Sequence, residues 1–312
     1  MKREDENAEA LDECRRLNIR GIAWLTASSI FFALMAICVR IAGKAGVPGS
    51  ESTLIRFVFG LVVIGVMVAS GRARLTIGRF PLLVARGVSG GLSILLYFLS
   101  ISAANGPGAV PLTNSVFLSN SYFIYTPAVS ALFIRERLRP GTISTSLVAL
   151  AGLGLFIGPH LREFRAGDVY GFASGVASAA SIVVLRELRK SEDPISIFFS
   201  LCVVGVIVSL PLMFIEGFVA PDLRTSIVLL LMVIAGTAGQ LAFTYAMRFS
   251  HANEGSILEL STVIYSSGAG IMWLGDPFDL RIALGAALVL GSAAYVSLYE
   301  TIHPRCDWGN VG

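Results

Sequence analysis

The sequence predicts an all-α polytopic membrane protein with ten transmembrane helices, arranged as two inverted five-helix repeats. Three observations carry this prediction: the apolar composition, the recurrence of long uncharged runs, and a weak internal repeat. Of the 312 residues, 54% are hydrophobic and only 14% are charged, whereas an ordinary soluble domain has about 25% charged residues. A membrane-spanning helix needs about 20 mostly apolar residues. A chain of this length therefore holds ten spans and little else.

Proline, glycine and charged residues divide the apolar sequence into ten runs. The predicted spans cover residues 19–42, 52–70, 81–104, 109–134, 142–159, 168–187, 196–216, 225–249, 253–274 and 281–300. The connections between these runs are short, so neighbouring helices are expected to be antiparallel.

An internal repeat relates the first five spans to the last five. When the first half of the chain is aligned with the second half so that Ser119 matches Glu259, Glu136 matches Asp276. Because each half holds an odd number of spans, the two halves must have opposite orientations, as in secondary transporters that bind substrate between inverted repeats. The predicted organisation is a cytoplasmic N-terminal tail, two repeats and a C-terminal tail, at residues 1–18, 19–159, 160–300 and 301–312.

The distribution of basic residues predicts that both termini are cytoplasmic. With the N-terminus inside, most lysine and arginine residues fall in cytoplasmic segments, as the positive-inside rule requires. The first 18 residues contain no apolar stretch and are not a signal peptide, which favours a bacterial inner membrane. The net charge of +3 is too small to indicate a nucleic-acid partner.

Several features resemble the EamA-like branch of the drug/metabolite transporter superfamily. They are Arg56-Phe57 early in span 2, Pro127 in span 4, the IRERL turn with Glu136, the glycines between 152 and 158, and Asp276 in the second copy. The resemblance covers about residues 19–300. It implies a secondary transporter without an ATP-binding domain, whose spans 1, 3, 4, 6, 8 and 9 line a central cavity. The second copy departs from the pattern, because Ser267 stands opposite Pro127.

Glu259 is the strongest candidate for substrate binding. It lies about 9 Å into span 9 at 1.5 Å per residue, where an acidic side chain is costly and is usually functional or paired. Small and polar residues at helical spacing, such as Ser256 and Thr262, place Glu259 on a face that points into the bundle. The carboxylate could bind a substrate amine or a coupling proton. It could also be a structural acid paired with an arginine or with backbone donors.

Polar and aromatic residues of other spans complete the candidate site. The further predicted substrate contacts are Tyr97, Asn120, Gln240, Met35 and Ser178. Tyr97 can stack and donate a hydrogen bond, whereas Gln240 could equally serve contacts between helices. Pro127 lacks a backbone N–H and predicts a kink in span 4, which could act as a gate or stay static.

Two arginines receive a structural interpretation. Arg86 lies close to the cytoplasmic end of span 3, and the sequence favours a positive-inside anchor. Arg56 is interpreted as structural because span 2 is expected to lie outside the cavity. On this interpretation the bundle holds one buried acid without an equally buried base, which favours an amino acid or another amine-bearing solute as the substrate.

Small residues predict close helix packing. The G-x-x-x-G pattern occurs at Gly87–Gly91, Gly154–Gly158 and Gly171–Gly175 and allows helices to approach closely. Such faces could let the halves slide, form rigid contacts, or face a second copy in a homodimer.

The sequence predicts no catalytic residues, no metal centre and no cofactor. His160, His251 and His303 are far apart, the four cysteines form no CxxC pair, and no GxxxxGK[ST] loop is present. The leading function is a secondary transporter that lies in the lipid bilayer and moves a small organic metabolite by alternating access. The alternative is a membrane-embedded enzyme acting on a lipid, which would need catalytic groups clustered at one membrane face.

Overall fold

The computed structural model describes residues 2–102, 112–133, 140–157, 165–250, 252–274 and 280–302. Within these residues the chain is helical and contains no β-strand. The helices are α1 (Lys2–Lys44), α2 (Gly49–Ala69), α3 (Phe80–Ser102), α4 (Leu112–Asn120), α5 (Tyr122–Phe133), α6 (Pro140–Ile157), α7 (Ala166–Leu188), α8 (Pro194–Glu216), α9 (Leu223–Ala246), α10 (Ala252–Glu259), α11 (Ser261–Ala269) with the π-helical turn Gly270–Leu274, and α12 (Leu280–Ile302).

Six of the described helices are long and apolar enough to cross a membrane. They are the Arg15–Lys44 segment of α1, together with α2, α3, α7, α8 and α9. Large apolar side chains such as Val62, Ile207 and Leu231 are exposed on their outer faces. Exposed apolar surface of this extent is typical of helices that face lipid. These helices confirm the all-α polytopic membrane class, while the count of ten spans and the inverted relation of the halves stay predictions.

The first helix is longer than the predicted span. The sequence places span 1 at residues 19–42, whereas α1 continues back to Lys2 through residues assigned to the N-terminal tail. Other predictions fall outside the described residues: the turn acids Glu136 and Asp276, and the histidines 160, 251 and 303.

Acidic residues begin two of the long helices. Asp193 accepts a hydrogen bond from the Ile195 N–H at 2.8 Å and is followed by Pro194, a residue whose fixed φ suits the first helical turn. Asp222 accepts a hydrogen bond from the Thr225 N–H at 2.9 Å at the start of α9. Hydrogen bonds from the side chain and backbone of Thr225 lower the pKa of the Asp222 carboxyl group. These caps set the points at which α8 and α9 begin.

The central bundle is built by pairs of helices in which one comes from the first half of the chain and one from the second half. Helix α1 packs along α9, α3 packs along α7, and α8 packs against both α2 and α3. Glycines bring α3 and α8 together: a Cβ atom on Gly87 would lie 2.8 Å from the Ser200 carbonyl oxygen. Gly154, in another G-x-x-x-G pattern, makes no such close contact, because a Cβ atom there would meet open space.

Two helices of the bundle are interrupted. The break between α4 and α5 lies at Ser121, whose N–H donates to the Leu118 carbonyl oxygen at 3.2 Å. The break between α10 and α11 lies at Leu260, whose N–H donates to the Ile257 carbonyl oxygen at 3.2 Å. The predicted span-4 proline, Pro127, lies inside α5, and the helix continues through it to Phe133. The interruption of span 4 is therefore located before the proline.

Candidate binding cavity

The helices of the bundle surround a cavity of about 120 Å³. Side chains from α1, α2, α3, α4, α5, α7, α9, α10 and α11 line the cavity. Both interrupted helices contribute to its wall next to their breaks, through Asn120 and Tyr122 on one side and Glu259 and Thr262 on the other.

All six residues predicted as substrate contacts line this cavity. They are Glu259, Tyr97, Asn120, Gln240, Met35 and Ser178. They come from six different helices, so only the tertiary fold brings them together. The predicted gating residue, Pro127, is not part of the described cavity wall. The substrate-binding and gating roles of these residues stay predictions.

Glu259 closes the C-terminal end of α10 and is 3% exposed. Its Oε1 atom accepts a hydrogen bond from the Ser28 hydroxyl group at 3.1 Å. The same hydroxyl group lies 3.0 Å from the Gly239 carbonyl oxygen, so its one proton is shared between two acceptors. The Oε2 atom of Glu259 has no hydrogen-bond partner among the described residues. The carboxylate therefore retains capacity to accept further hydrogen bonds.

Arg86 also lines the cavity, although the sequence favoured a role as a membrane-surface anchor. The side chain is 4% exposed, and its Nη1 atom donates to the Ser181 hydroxyl group on α7. Its Nε atom has no partner among the described residues. The anchor interpretation is wrong, because the guanidinium group turns inward to α7 rather than outward to the membrane surface.

Arg56 reaches the cavity from α2. Its guanidinium carbon lies 5.9 Å from the centre of the Phe32 ring and 5.6 Å from that of Phe98, within the range of cation–π interactions. Its Nη2 atom donates to the Gly236 carbonyl oxygen at 3.5 Å. The expectation that span 2 lies outside the cavity is therefore wrong.

The two arginines change the charge balance deduced from the sequence. Arg56 and Arg86 are each 4% exposed, nearly as buried as Glu259. No carboxylate lies within ion-pair distance of either guanidinium group in the described part of the chain. The interpretation of one buried acid without an equally buried base is wrong, since the described residues of the cavity wall include one acid and two bases.

The sequence contained a signal for Arg86. Arg86, Gly90, Ser93 and Tyr97 recur at helical spacing along span 3, and all four line the cavity. A polar stripe at this spacing indicates a shared helix face. Because Arg86 belongs to this stripe, the pattern predicts that its side chain points into the cavity. The position of Arg86 near the helix end does not predict this.

Neutral polar groups fill the wall between the charges. The Ser93 and Ser178 hydroxyl groups contact each other, and Ser174 donates to the Ser93 carbonyl oxygen at 2.8 Å. The Asn120 amide donates to the Val116 carbonyl oxygen at 2.7 Å, within its own helix. This bond leaves the Asn120 side-chain oxygen free to accept a hydrogen bond from a bound solute.

Among its described residues, the cavity wall shows no cluster of metal-ligating side chains. No group of three or more histidine, cysteine, aspartate or glutamate side chains occurs together in the described ranges. The charged groups are instead spread over separate walls, with Glu259 on α10, Arg56 on α2 and Arg86 on α3. Long apolar helices around a charged cavity are typical of a polytopic membrane protein that binds a small solute.

Comparison with known proteins supports a transporter. Residues 165–298 match the model of the EamA-like transporter family. A pseudopaline exporter of Pseudomonas aeruginosa is 26% identical over 276 residues, which are 88% of this chain and 95% of the exporter. An S-adenosylmethionine uptake transporter of Rickettsia conorii is 22% identical over 239 residues, which are 76% of this chain and 78% of the relative.

The fold has a counterpart among solved structures. A crystal structure of another protein matches 93% of this chain and 99% of its own, with a TM-score of 0.71 and 17% sequence identity. The family match and the named relatives confirm the resemblance to the drug/metabolite transporter superfamily in its EamA-like branch. These likenesses indicate a membrane transporter rather than an enzyme.

Proposed function

We propose that the protein moves a small amine-bearing metabolite across the membrane by alternating access, and that Glu259 binds the cationic group of the substrate. The observation that carries the proposal is the state of the Glu259 carboxylate. It is buried, it lines the cavity, and its Oε2 atom has no partner among the described residues. An acidic group in the membrane interior is costly unless a functional partner offsets the cost.

A substrate ammonium group can supply the hydrogen-bond donor and the positive charge that pair with this carboxylate. It carries a positive charge and several N–H donors, and charge-assisted hydrogen bonds are about twice as strong as neutral ones. Aromatic side chains stand in the same cavity: Phe32 and Phe243 lie with ring centres 6.3 Å apart. Ring faces attract cations as well. Amino acids and related amines therefore fit this part of the cavity.

The named relatives support a small metabolite as the substrate. One is named for the export of pseudopaline and another for the uptake of S-adenosylmethionine. Both names specify a small organic molecule, and they specify opposite directions of transport. We therefore propose the substrate class for this protein but no direction of transport.

The position of the cavity supports alternating access between two halves. The first predicted repeat, 19–159, contributes Ser28 and Arg86, and the second, 160–300, contributes their partners Glu259 and Ser181. Interrupted helices at matching places in the two halves are typical of transporter binding sites. The alignment of the two halves that matches Ser119 with Glu259 also matches Ser121, the break in the first half, with Ser261. Ser261 directly follows Leu260, the break in the second half. Relative motion of the halves would open the cavity to either side.

The positive-inside distribution of lysine and arginine favours an inner-membrane orientation with both termini in the cytoplasm. In this orientation the exposed ion pairs of Glu187 with Arg79, at 2.9 Å, and with Lys190, at 2.7 Å, lie at the cytoplasmic end of the bundle.

Counterflow in proteoliposomes tests the substrate class. Vesicles are loaded with a pool of unlabelled amino acids and amines, and the entry of labelled members is compared with the entry of their N-acetylated forms. We expect entry of amine-bearing solutes and none of the acetylated forms, because acetylation removes the positive charge that Glu259 would bind. Vesicles without protein give the background. Equal entry of both forms, or entry of the acetylated forms alone, would contradict the proposal.

A further inference from the structure

The cavity holds two buried positive charges that nothing in the described chain neutralises. Arg56 and Arg86 both line it, both are 4% exposed, and neither has an acidic partner among the described residues. The two like charges also repel each other. A buried charge without a partner is strongly unfavourable. The arrangement therefore indicates that a bound anion completes it.

Most hydrogen-bonding capacity of the two guanidinium groups is unused. Each carries five N–H donors. Arg56 uses one nitrogen on the Gly236 carbonyl oxygen, and Arg86 uses one on the Ser181 hydroxyl group. The Nε atom of Arg86 is buried and has no described partner. Guanidinium groups with free N–H donors match the two oxygens of a carboxylate.

The two groups are also fixed in place. The rings of Phe32 and Phe98 lie within 6 Å of the Arg56 guanidinium carbon. The Arg86 side chain crosses from α3 to Ser181 on α7. Gly90 lies close beside it, since a Cβ atom there would be 2.9 Å from Arg86 Nη1. Positioned donors bind an anion with less loss of conformational freedom than mobile ones.

We propose that Arg56 and Arg86 form an anion subsite, and that the transported solute is an amino-acid derivative with two carboxylate groups and one amine. The charge balance of the cavity supports this composition. Among the described residues, the two guanidinium groups outnumber the one carboxylate, Glu259, by one charge. A solute with one carboxylate more than it has amines leaves the occupied cavity neutral. The inference rests on the proposed function, because Glu259 takes the amine.

Thermal unfolding of the purified full-length protein in detergent measures binding to this subsite. The probes are L-glutamate, glutarate, which lacks the amine, and 1,4-diaminobutane, which lacks carboxylates. A ligand that binds the folded protein raises the midpoint of unfolding. For the wild-type protein we expect the largest rise with L-glutamate, a smaller rise with glutarate and the smallest with 1,4-diaminobutane. An unchanged midpoint with both dicarboxylates at their highest soluble concentrations overturns the anion subsite.

Arginine variants assign the response to the two residues. For Arg86→Gln and Arg56→Gln we expect glutarate to bind about 30-fold more weakly or worse, which is the lower range for removing one partner of a buried charge pair. Arg86→Lys keeps the positive charge and should recover part of the stabilisation by glutarate. This variant replaces Arg86→Gln in the test if Arg86→Gln does not fold. Arg79→Gln, outside the cavity, is the matched control and should leave the response unchanged. Wild-type binding of glutarate by both glutamine variants overturns the assignment.

Glu259→Gln separates the two proposals. If both are correct, this variant loses the response to 1,4-diaminobutane and keeps the response to glutarate. If the anion subsite is correct and the amine role of Glu259 is not, the variant responds to all three probes as the wild-type protein does. If only the amine role is correct, 1,4-diaminobutane stabilises the wild-type protein and glutarate does not.

Discussion

Glu259→Gln is expected to slow the counterflow of amine-bearing solutes by about 30-fold or more, the effect of removing one partner of a buried charge pair. Glutamine has nearly the shape of glutamate, and its side-chain oxygen can still accept the hydrogen bond that Ser28 donates to Glu259. What the substitution removes is the negative charge facing the cavity. The fold should therefore survive while the affinity for the cation falls. Initial exchange rates per amount of reconstituted protein measure the effect.

Glu51→Gln is the matched control for this prediction. Glu51 is also fully buried, on α2, but it does not belong to the described cavity wall. Its Oε2 atom accepts the Val219 N–H at 3.0 Å, and a glutamine oxygen can take over that bond. We expect Glu51→Gln to exchange substrate at close to the wild-type rate. If Glu259→Gln also exchanged at the wild-type rate, Glu259 would be a structural acid.

Gly87→Val is expected to reduce strongly the yield of folded protein and to lower its midpoint of thermal unfolding. Even the first added carbon, the Cβ atom, would lie 2.6 Å from Val204 Cγ2 and 2.8 Å from the Ser200 carbonyl oxygen. The carbonyl group belongs to the backbone of α8 and cannot turn aside. Overpacking a tight contact costs about 1–3 kcal/mol, and valine adds two methyl groups beyond the Cβ atom. The midpoint of unfolding in detergent reports the loss.

The same substitution at Gly65 is the control, since Gly65 lies on α2 and a Cβ atom there would meet nothing within 4 Å. Gly65→Val should unfold at a midpoint close to that of the wild-type protein. A Gly87→Val protein as stable as Gly65→Val would show that α3 and α8 can separate without loss. That result would contradict the close packing of these helices.

The sequence predicted the fold class because membrane helices have a strong local signature. Long uncharged runs identify the helices by composition alone, and the six long helices lie where the sequence placed spans 1, 2, 3, 6, 7 and 8. The interruptions at Ser121 and Leu260 have no such signature. Pro127 carries the only local signal in span 4, yet α5 continues through it. The breaks depend on packing around the cavity, which the local sequence does not encode.

The site was predicted unevenly for a similar reason. Glu259 stands out because any acid at that depth is costly, and helical spacing places Tyr97 on an inward face. Arg86 near a helix end has the same local sequence whether it extends to the membrane surface or turns inward. Its direction is decided by Ser181, which lies 95 residues further along the chain. The sequence places Arg56 outside the cavity, because no local pattern shows that α2 adjoins the cavity.

Thiol labelling at Ser178 tests most directly that the cavity serves transport by alternating access. Ser178 lines the cavity on α7 and contacts Ser93. The variant Ser178→Cys is prepared with Cys14 and Cys306 replaced by serine, while Cys38 and Cys202 are buried and kept. A membrane-impermeant maleimide is then added to either face of oriented proteoliposomes. We expect labelling from both faces and slower labelling when a transported solute is present. Labelling confined to one face under all conditions would contradict alternating access through this cavity.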